Sequence, residues 1–371
     1  MTKRQSFFVF MAIVFSFLFL GNFVVFQAWI LMFNIISFYP KLYLALGLSI
    51  LSLSFVLSII FGGYYYNRFT RLYYSVTAVW MGYFCYLFMA SVVYSAFAGI
   101  SGYSVSRIGE LFILIALATT TYGIFHAKRL IVSEVEVMLP NLPAAWENRK
   151  AVWISDLHLG QLHGENYLRK VVNNVNELSA HIVFIGGDLF DGTSAPDLIK
   201  LSESLKDIVS IFGTYYITGN HEEMAGHSEA FITAVKASGV SVLMDEMKDL
   251  EGLQIVGVDY SNAVKKENFA EILTRLVIDR QKPSILLKHE PKDLEIAEEA
   301  GISLQISGHT HRAQIWPLGY IAQATYKGYS YGLKQFRNMQ IYTSSGVGTW
   351  GPPVRVGTNS EIVLITFKNR N

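Results

Sequence analysis

The sequence contains a single cysteine, Cys85, among 371 residues. One thiol cannot form an internal disulfide, nor can it supply the cysteine clusters that structural zinc sites use. Cys85 lies within an apolar run, where a small buried or lipid-facing side chain is expected. The composition therefore excludes a disulfide-stabilised fold and leaves His, Asp, Glu and amide side chains as the available metal ligands.

An excess of charge is also lacking, because 30 Lys and Arg oppose 29 Asp and Glu, for a net charge of +1. Nucleic-acid binding typically needs a basic excess or a basic stripe, so no nucleic-acid partner is expected. The charges are concentrated in the last two thirds of the chain. This shift in composition predicts a membrane domain over residues 1–128 and a globular domain over residues 129–371.

Four apolar runs in the first third are each long enough for a transmembrane helix, which needs about 20 residues. The first run is longer than the apolar region of a cleaved signal peptide and offers no small-residue cleavage site. We therefore predict four membrane-spanning helices rather than a removed leader. The runs cover residues 7–30, 42–61, 73–94 and 108–125.

Basic residues at the ends of the four runs predict the orientation of the chain in the membrane. Cytoplasmic ends carry an excess of Lys and Arg. Six basic residues fall on one side, against Lys41 and Arg107 on the other. The pattern predicts a multi-pass protein of the inner membrane with both termini, and hence the globular domain, in the cytoplasm. The six are Lys3, Arg4, Arg68, Arg71, Lys128 and Arg129.

The last two thirds of the chain alternate short apolar runs with amphipathic stretches, such as residues 165–180 and 229–238. This alternation indicates an α/β fold, in which ligands gather at the carboxyl ends of the strands. Five runs predict buried strands that each end in a residue able to bind a metal. They are AVWIS before Asp156, IVFIGG before Asp188, TYYITG before Asn220, SILLK before His289 and LQISG before His309.

His158, His221 and His311 lie within two residues of these strand ends, and Asp191 follows Asp188 closely. Asp156 and Asp188 could each be a helix cap, Asn220 a turn residue and His289 a core histidine. The fivefold recurrence of the pattern favours a shared site. Imidazole, carboxylate and amide ligands suit Mn, Fe or Zn better than Ca. Seven ligands are too many for one ion that keeps an open position, but they suit two ions that share a bridging carboxylate.

Five short motifs, in this order, resemble the signature blocks of the calcineurin-like metallophosphoesterases: DLHLG, GGDLFD, GNHE, KHEP and GHTH. The resemblance covers about residues 133–368. The closing segment GVGTWGPPVRVGTNSEIVLITF is similar to that of the membrane-associated bacterial branch that includes the YkuE and YaeI types. The resemblance implies a four-layer α/β/β/α sandwich with metals at the strand ends.

The family pattern also implies a role for each motif residue. It assigns Asp156, His158 and His311 to one ion, and Asn220, His289 and His309 to the other, with Asp188 bridging the two. His221 matches the family histidine that contacts the phosphate and assists the leaving group. Asp191 is expected to support these ligands rather than to bind metal itself.

One short segment departs from the membrane-associated relatives, which often continue GHTH with Gly-Gly-Gln. This chain has Arg312, Ala313 and Gln314 instead. Arg312 is then either a contact for a substrate phosphate or an ordinary surface arginine.

The sequence thus predicts a membrane-anchored phosphoric ester hydrolase in which two divalent ions generate a hydroxide nucleophile. The expected substrate is a phosphodiester or pyrophosphate on a lipid or a nucleotide-linked lipid at the cytoplasmic leaflet. A phosphodiesterase for soluble nucleotides and a non-catalytic sensor or scaffold for phosphate ligands are the alternatives. Five aromatic residues form either a wall for acyl chains or for the membrane interface, or else ordinary strand positions: Trp316, Tyr320, Tyr326, Tyr329 and Tyr331.

Overall fold

The computed structural model describes residues 3–102, 105–192, 198–224 and 228–370. The chain forms two compact units. A helical unit comprises Met1–His126 together with Gly351–Val356, and an α/β unit comprises Ala127–Trp350 together with Gly357–Asn371.

The helical unit contains the four apolar helices that the sequence predicts. Each is long and apolar enough to cross a membrane. Polar side chains inside the unit pair with one another, as with Asn22 and Ser52 at 2.9 Å and Thr77 and Ser58 at 2.8 Å. Such pairing is required where water cannot solvate polar groups. The helices are α1 (Lys3–Met32), α2 (Phe38–Tyr64), α3 (Arg68–Ser101) and α4 (Ser106–Ala127).

The segment Gly351–Val356 packs on α3 and α4. The amide of Arg355 donates to the carbonyl of Gly123 in α4 at 3.0 Å. The side chain of Val354 lies against Gly82 of α3, where a Cβ atom would come within 2.6 Å of it. Glycine at position 82 therefore permits this close approach. No pattern in the sequence predicts that this segment belongs to the helical unit.

The first strand of the α/β unit begins after a link of two residues that follows α4, and the described part of the unit contains two mixed six-stranded sheets. The first has the strand order β1-β12-β2-β3-β4-β5 and the second has the order β10-β11-β9-β8-β7-β6. The strands are β1 (Leu130–Leu139), β2 (Lys150–Ile154), β3 (Ile182–Gly186), β4 (Thr214–Ile217), β5 (Ser241–Val242), β6 (Glu246–Leu250), β7 (Leu253–Gly257), β8 (Ser284–Leu287), β9 (Leu304–Ser307), β10 (Gly332–Phe336), β11 (Met339–Thr343) and β12 (Ser360–Asn369).

Among the residues that the structure describes, eight further α-helices connect and cover the strands, and the predicted helical stretches 165–180 and 229–238 correspond to α5 and α8. They are α5 (Glu165–Glu177), α6 (Leu198–Ser202), α7 (Asn220–Met224), α8 (Ser228–Ala237), α9 (Tyr260–Ala263), α10 (Lys266–Arg275), α11 (Leu294–Glu299) and α12 (Gly319–Thr325). The strands β2, β3 and β4 run parallel, as do β7, β8, β9 and β11.

Three apolar layers hold the α/β unit together. Alternate residues of a strand point to opposite faces of a sheet. In β2, Val152 and Ile154 pack towards α5 and α8, whereas Trp153 enters the core shared by both sheets. A third core lies between the second sheet and the helices α10 and α11. The result is the predicted four-layer α/β/β/α sandwich, and burial of both strand faces explains why the strands are continuous apolar runs.

The buried carboxylate of Glu361 joins β12 to its neighbours. It accepts hydrogen bonds from the Ser133 hydroxyl of β1 at 2.7 Å, the Ser344 hydroxyl at 3.0 Å and the Ser345 amide at 2.8 Å. The Tyr331 hydroxyl donates to it at 3.1 Å. A buried carboxylate needs such donors, because an unsatisfied charge inside a protein is costly.

Replacing Glu361 with alanine should destabilise the protein, because the substitution leaves several buried donors without an acceptor. We expect a loss of about 3 kcal/mol, which would lower the melting temperature of the full chain in detergent by roughly 6–12 °C. The matched control is Glu134→Ala on the exposed face of β1, which should leave the melting temperature unchanged. Equal melting temperatures for the two variants would contradict this role of Glu361.

Candidate metal centre

The predicted site residues lie at one edge of each sheet, immediately after parallel strands. Because parallel strands present their carboxyl ends on the same side, residues far apart in sequence converge there. Asp156 and His158 follow β2, Asp188 follows β3, Asn220 and His221 begin α7 after β4, His289 follows β8, and His309 and His311 follow β9.

Five of these residues have a left-handed backbone conformation, which non-glycine residues adopt at a cost. Their φ values lie between 47° and 69°, and the residues are Asp156, His158, Asp188, His309 and His311. Sharp turns of this kind redirect the side chains towards the centre. Backbone hydrogen bonds stabilise the turns, for example from the Asp156 amide to the Gly187 carbonyl at 3.0 Å.

One group of side chains consists of Asp156, His158 and His311. The Nε2 atoms of the two imidazoles are 3.0 Å apart, and Nε2 of His311 is 3.6 Å from Oδ1 of Asp156. All three residues are buried and present their ligand atoms within 4.8 Å of one another. These are the three residues that the family pattern assigns to one ion.

A second group surrounds the amide oxygen of Asn220. Nδ1 of His309 is 2.7 Å from this oxygen, and Nε2 of His289 is 3.2 Å from it. These are the three residues that the sequence analysis assigned to the second ion.

Asp188 lies between the two groups. Its Oδ2 atom is 3.2 Å from Nε2 of His289 in the second group and 4.0 Å from Nε2 of His158 in the first. The carboxylate is therefore in the position that a bridging ligand needs.

The geometry and chemistry of the cluster fit a pair of divalent cations. Ligand atoms at about 2.1 Å from an ion with octahedral angles are about 3 Å apart, which matches the separations within each group. The ligand atoms are nitrogen and oxygen, as in sites for Mn, Fe or Zn. The nitrogen and oxygen lone pairs of these side chains face one another, and a bound cation would remove their mutual repulsion. The site is therefore consistent with a dinuclear metal centre.

The electrostatics of the cluster reflect burial and mutual contact. Burial, together with the nearby Asp188 carboxylate, raises the pKa of Asp156 to about 6. Burial and the neighbouring His289 lower the pKa of His309 to about 4. Burial opposes the charge of His289, but Asp188 and Asp156 outweigh it and raise the His289 pKa to about 10. A bound cation would replace the proton on His289, because a ligating imidazole must be neutral.

His221 is oriented by two contacts. Its amide donates to Oδ1 of Asp188 at 2.9 Å, and its Nδ1 lies 3.0 Å from the carbonyl oxygen of Asp191. The other ring nitrogen, Nε2, points towards the cluster and lies 3.9 Å from Oδ2 of Asp188. Asp191 thus supports His221 through its backbone.

Glu222 is a site residue to which the sequence analysis gave no role, although it belongs to the GNHE motif. Its fully buried carboxylate accepts hydrogen bonds from the amides of Asp188, Phe190 and Gly219 at 2.8–3.0 Å. Burial and the nearby Asp188 raise its pKa to about 7. The side chain joins the end of β3 to the start of α7. Its position directly after Asn220 and His221 is the feature of the sequence from which a role in the site could have been predicted.

Trp350 and Gln314 also border the site and were not predicted. The two residues exchange hydrogen bonds, from the Trp350 amide at 2.8 Å and from the Gln314 side-chain amide to the Trp350 carbonyl at 2.9 Å. The indole ring lies edge-to-face with His221, with 5.5 Å between the ring centroids. Gln314 thus fixes an aromatic wall beside His221.

The five aromatic residues considered for a wall do not form one surface. Tyr326 lies 6.2 Å from the His309 ring, Tyr329 packs against Phe336, and Tyr331 binds Glu361. Trp316 and Tyr320 are exposed. The Arg312 guanidinium lies 4.5 Å from the centroid of the Tyr331 ring. The backbone of Arg312 has a φ of 49°, a left-handed conformation that favours glycine.

Comparison with known proteins supports this assignment. A sequence profile described as calcineurin-like phosphoesterase matches residues 149–313. An uncharacterized metallophosphoesterase of Campylobacter jejuni is 35% identical over 242 residues, which cover 64% of this chain and 63% of that protein. This chain therefore spans less than two thirds of that relative's length.

Two further relatives share the domain. A transmembrane protein with metallophosphoesterase domain from Danio rerio is 27% identical over 70% of this chain and 62% of its own length. The uncharacterized metallophosphoesterase YkuE of Bacillus subtilis is 27% identical over 62% of this chain and 82% of its own length. The motif order, the sandwich and the convergent His/Asp cluster agree with these matches: residues 149–313 match the calcineurin-like phosphoesterase family, and the chain resembles metallophosphoesterases of bacteria and animals.

Proposed function

We propose that the protein is a membrane-anchored phosphoesterase that uses two metal ions. In this proposal, residues 1–128 anchor the chain and residues 129–371 form the catalytic domain. The observation that carries the proposal is the convergence of two ligand groups on the Asp188 carboxylate. Asp156, His158 and His311 would hold one ion, Asn220, His289 and His309 would hold the other, and Asp188 would bind both. Manganese, iron and zinc are the proposed metals.

The chemistry follows from the ligands and from His221. When bound, the ion pair supplies Lewis acidity that activates water for in-line attack on phosphorus. His221 faces the centre with Nε2. As an imidazolium that keeps its Nδ1 proton on the Asp191 carbonyl, it would donate the Nε2 proton to the departing oxygen and be left neutral. The Asp191 carbonyl holds the imidazole in the orientation that this proton transfer needs, and the Asp188 carboxylate fixes the backbone of His221 by accepting its amide.

The proposed substrate is a phosphodiester or pyrophosphate on a lipid or a nucleotide-linked lipid at the cytoplasmic leaflet. Four helices able to cross a membrane precede the catalytic domain. The end of α4 and the start of β1 are separated by only Lys128 and Arg129, a link too short to let the domain diffuse far from the bilayer. This tethering favours substrates that reside in the membrane.

Two other functions remain as alternatives. A phosphodiesterase for soluble nucleotides would use the same metal centre without the need for an anchor. A sensor that only binds phosphate ligands would need the metal cluster but would not need an oriented His221. The two contacts that orient His221 therefore favour catalysis.

Substitutions of Asp188 and His221 should separate metal assembly from chemistry. Asp188→Asn should reduce metal content below two ions per chain, because the bridging charge is lost, and should abolish hydrolysis of bis(p-nitrophenyl) phosphate. His221→Ala should keep the metal content and lower kcat by about 10²–10⁴-fold. Metal analysis and nitrophenol release by the full chain in detergent are the measurements. His181→Ala, at the opposite end of β3, is the control and should match the wild type. Full activity in His221→Ala would refute its role.

The substrate proposal predicts a preference for acylated substrates. Burial of each methylene group contributes about 0.8 kcal/mol, so contact with only two methylenes raises kcat/KM about tenfold. We therefore expect kcat/KM for a nucleotide-linked diacyl lipid to exceed that for the same compound without acyl chains by at least tenfold, in mixed micelles. Equal values would favour the soluble-nucleotide alternative, and hydrolysis of neither compound would favour the sensor.

The proposed orientation predicts the behaviour of reporters fused after residue 371. Green fluorescent protein should fluoresce there, whereas alkaline phosphatase, which needs an oxidising compartment, should be inactive. The converse pattern would place the catalytic domain on the outer side of the membrane.

A further inference from the structure

The segment that contains the last two metal-site histidines has a one-sided charge. Residues 300–360 include five Lys and Arg but no Asp or Glu. Of these five, Arg337 pairs with Glu298 at 3.4 Å, and Arg355 belongs to the helical unit. Arg312, Lys327 and Lys334 remain as exposed positive charges on the α/β unit. Such a segment is attracted to anionic surfaces.

The same segment exposes three large apolar side chains close together. Trp316 is 57% exposed, Tyr320 is 72% exposed and Ile321 is 63% exposed. Tyr320 and Ile321 lie on α12, and none of the residues of α12, all of which the structure describes, is buried. A helix of sequence GYIAQAT that buries no side chain gains little from packing on its own domain. Clustered exposed apolar side chains commonly mark an interaction surface.

We propose that Trp316, Tyr320 and Ile321, flanked by Arg312 and Lys327, form a membrane-contact surface that inserts into the interface of an anionic bilayer. Trp and Tyr favour the headgroup region, where an apolar ring and a polar tip are both solvated. A short apolar helix with basic neighbours binds this region through buried area and through attraction to anionic lipid. Four helices long and apolar enough to cross a membrane belong to the same chain, which favours a bilayer as the partner.

The surface lies beside the metal centre. Trp316 is five residues from His311, and the Gly357 backbone next to Trp316 adjoins Thr358, whose hydroxyl donates to the His311 carbonyl at 3.4 Å. Tyr326, which follows α12, packs near His309. Contact with lipid at α12 would therefore bring headgroup phosphates close to the two histidines. This last step rests on the proposed function, whereas the membrane contact does not.

Spin-label depth measurements on the full chain test the contact directly. Replacing Cys85 removes the single native thiol, and Ile321→Cys then carries a nitroxide in vesicles of phosphatidylglycerol and phosphatidylcholine. The matched control is Ile211→Cys, which is 76% exposed and precedes β4 at the opposite end from the metal centre. Collision rates with oxygen, which concentrates in lipid, and with a water-soluble nickel chelate report the depth of each label.

We expect the label at position 321 to gain oxygen collisions and lose nickel collisions relative to the label at 211. Adding Lys327→Glu should reduce this difference in phosphatidylglycerol vesicles, because it reverses a charge of the surface. Equal nickel accessibility at the two positions would overturn the proposal. So would shielding from both reagents, which would indicate contact with protein. Neither measurement requires turnover, so inactivity of the enzyme would leave the test intact.

Discussion

The buried carboxylate of Asp188 is the contact on which the geometry of the site depends. Its two oxygens face His289, His158 and His221, and one of them accepts the His221 amide. Its backbone amide is held by Glu222, which also fixes the start of α7. Gly219 must be a glycine, because a Cβ atom there would lie 2.2 Å from the carboxylate. Residues that follow β2, β4 and β8 therefore meet at this carboxylate.

That arrangement costs conformational energy, which the rest of the domain supplies. Left-handed residues cost about 1–2 kcal/mol each, and five site residues adopt this conformation. The cost is offset by three apolar layers of β-strands and helices that hold the strand ends in place. Binding of cations would further stabilise the cluster, because it would neutralise Asp156 and Asp188 and occupy the facing nitrogen lone pairs.

The sequence allowed the four long helices, five buried strands and the clustered His/Asp residues to be predicted, since each rests on local periodicity or on a motif at a strand end. The contacts of Glu222 and the Gln314–Trp350 pair were not predictable in this way, because they join residues brought together only by the tertiary fold. The aromatic residues near α12 illustrate the same limit. Their spacing could not distinguish Tyr331, which binds the buried Glu361, from the exposed Tyr320.

The segment Gly351–Val356 has a consequence for how the two units can evolve and be separated. The polypeptide passes between the units at residues 126–127, again at 350–351 and a third time at 356–357. A cut after α4 would leave Val354, which packs on Gly82, without its apolar neighbour. The helices are thus not an exchangeable tether, and a recombinant domain that begins after residue 128 would lack part of its own packing. Exchange of the helices between homologues would require matching changes in this six-residue segment.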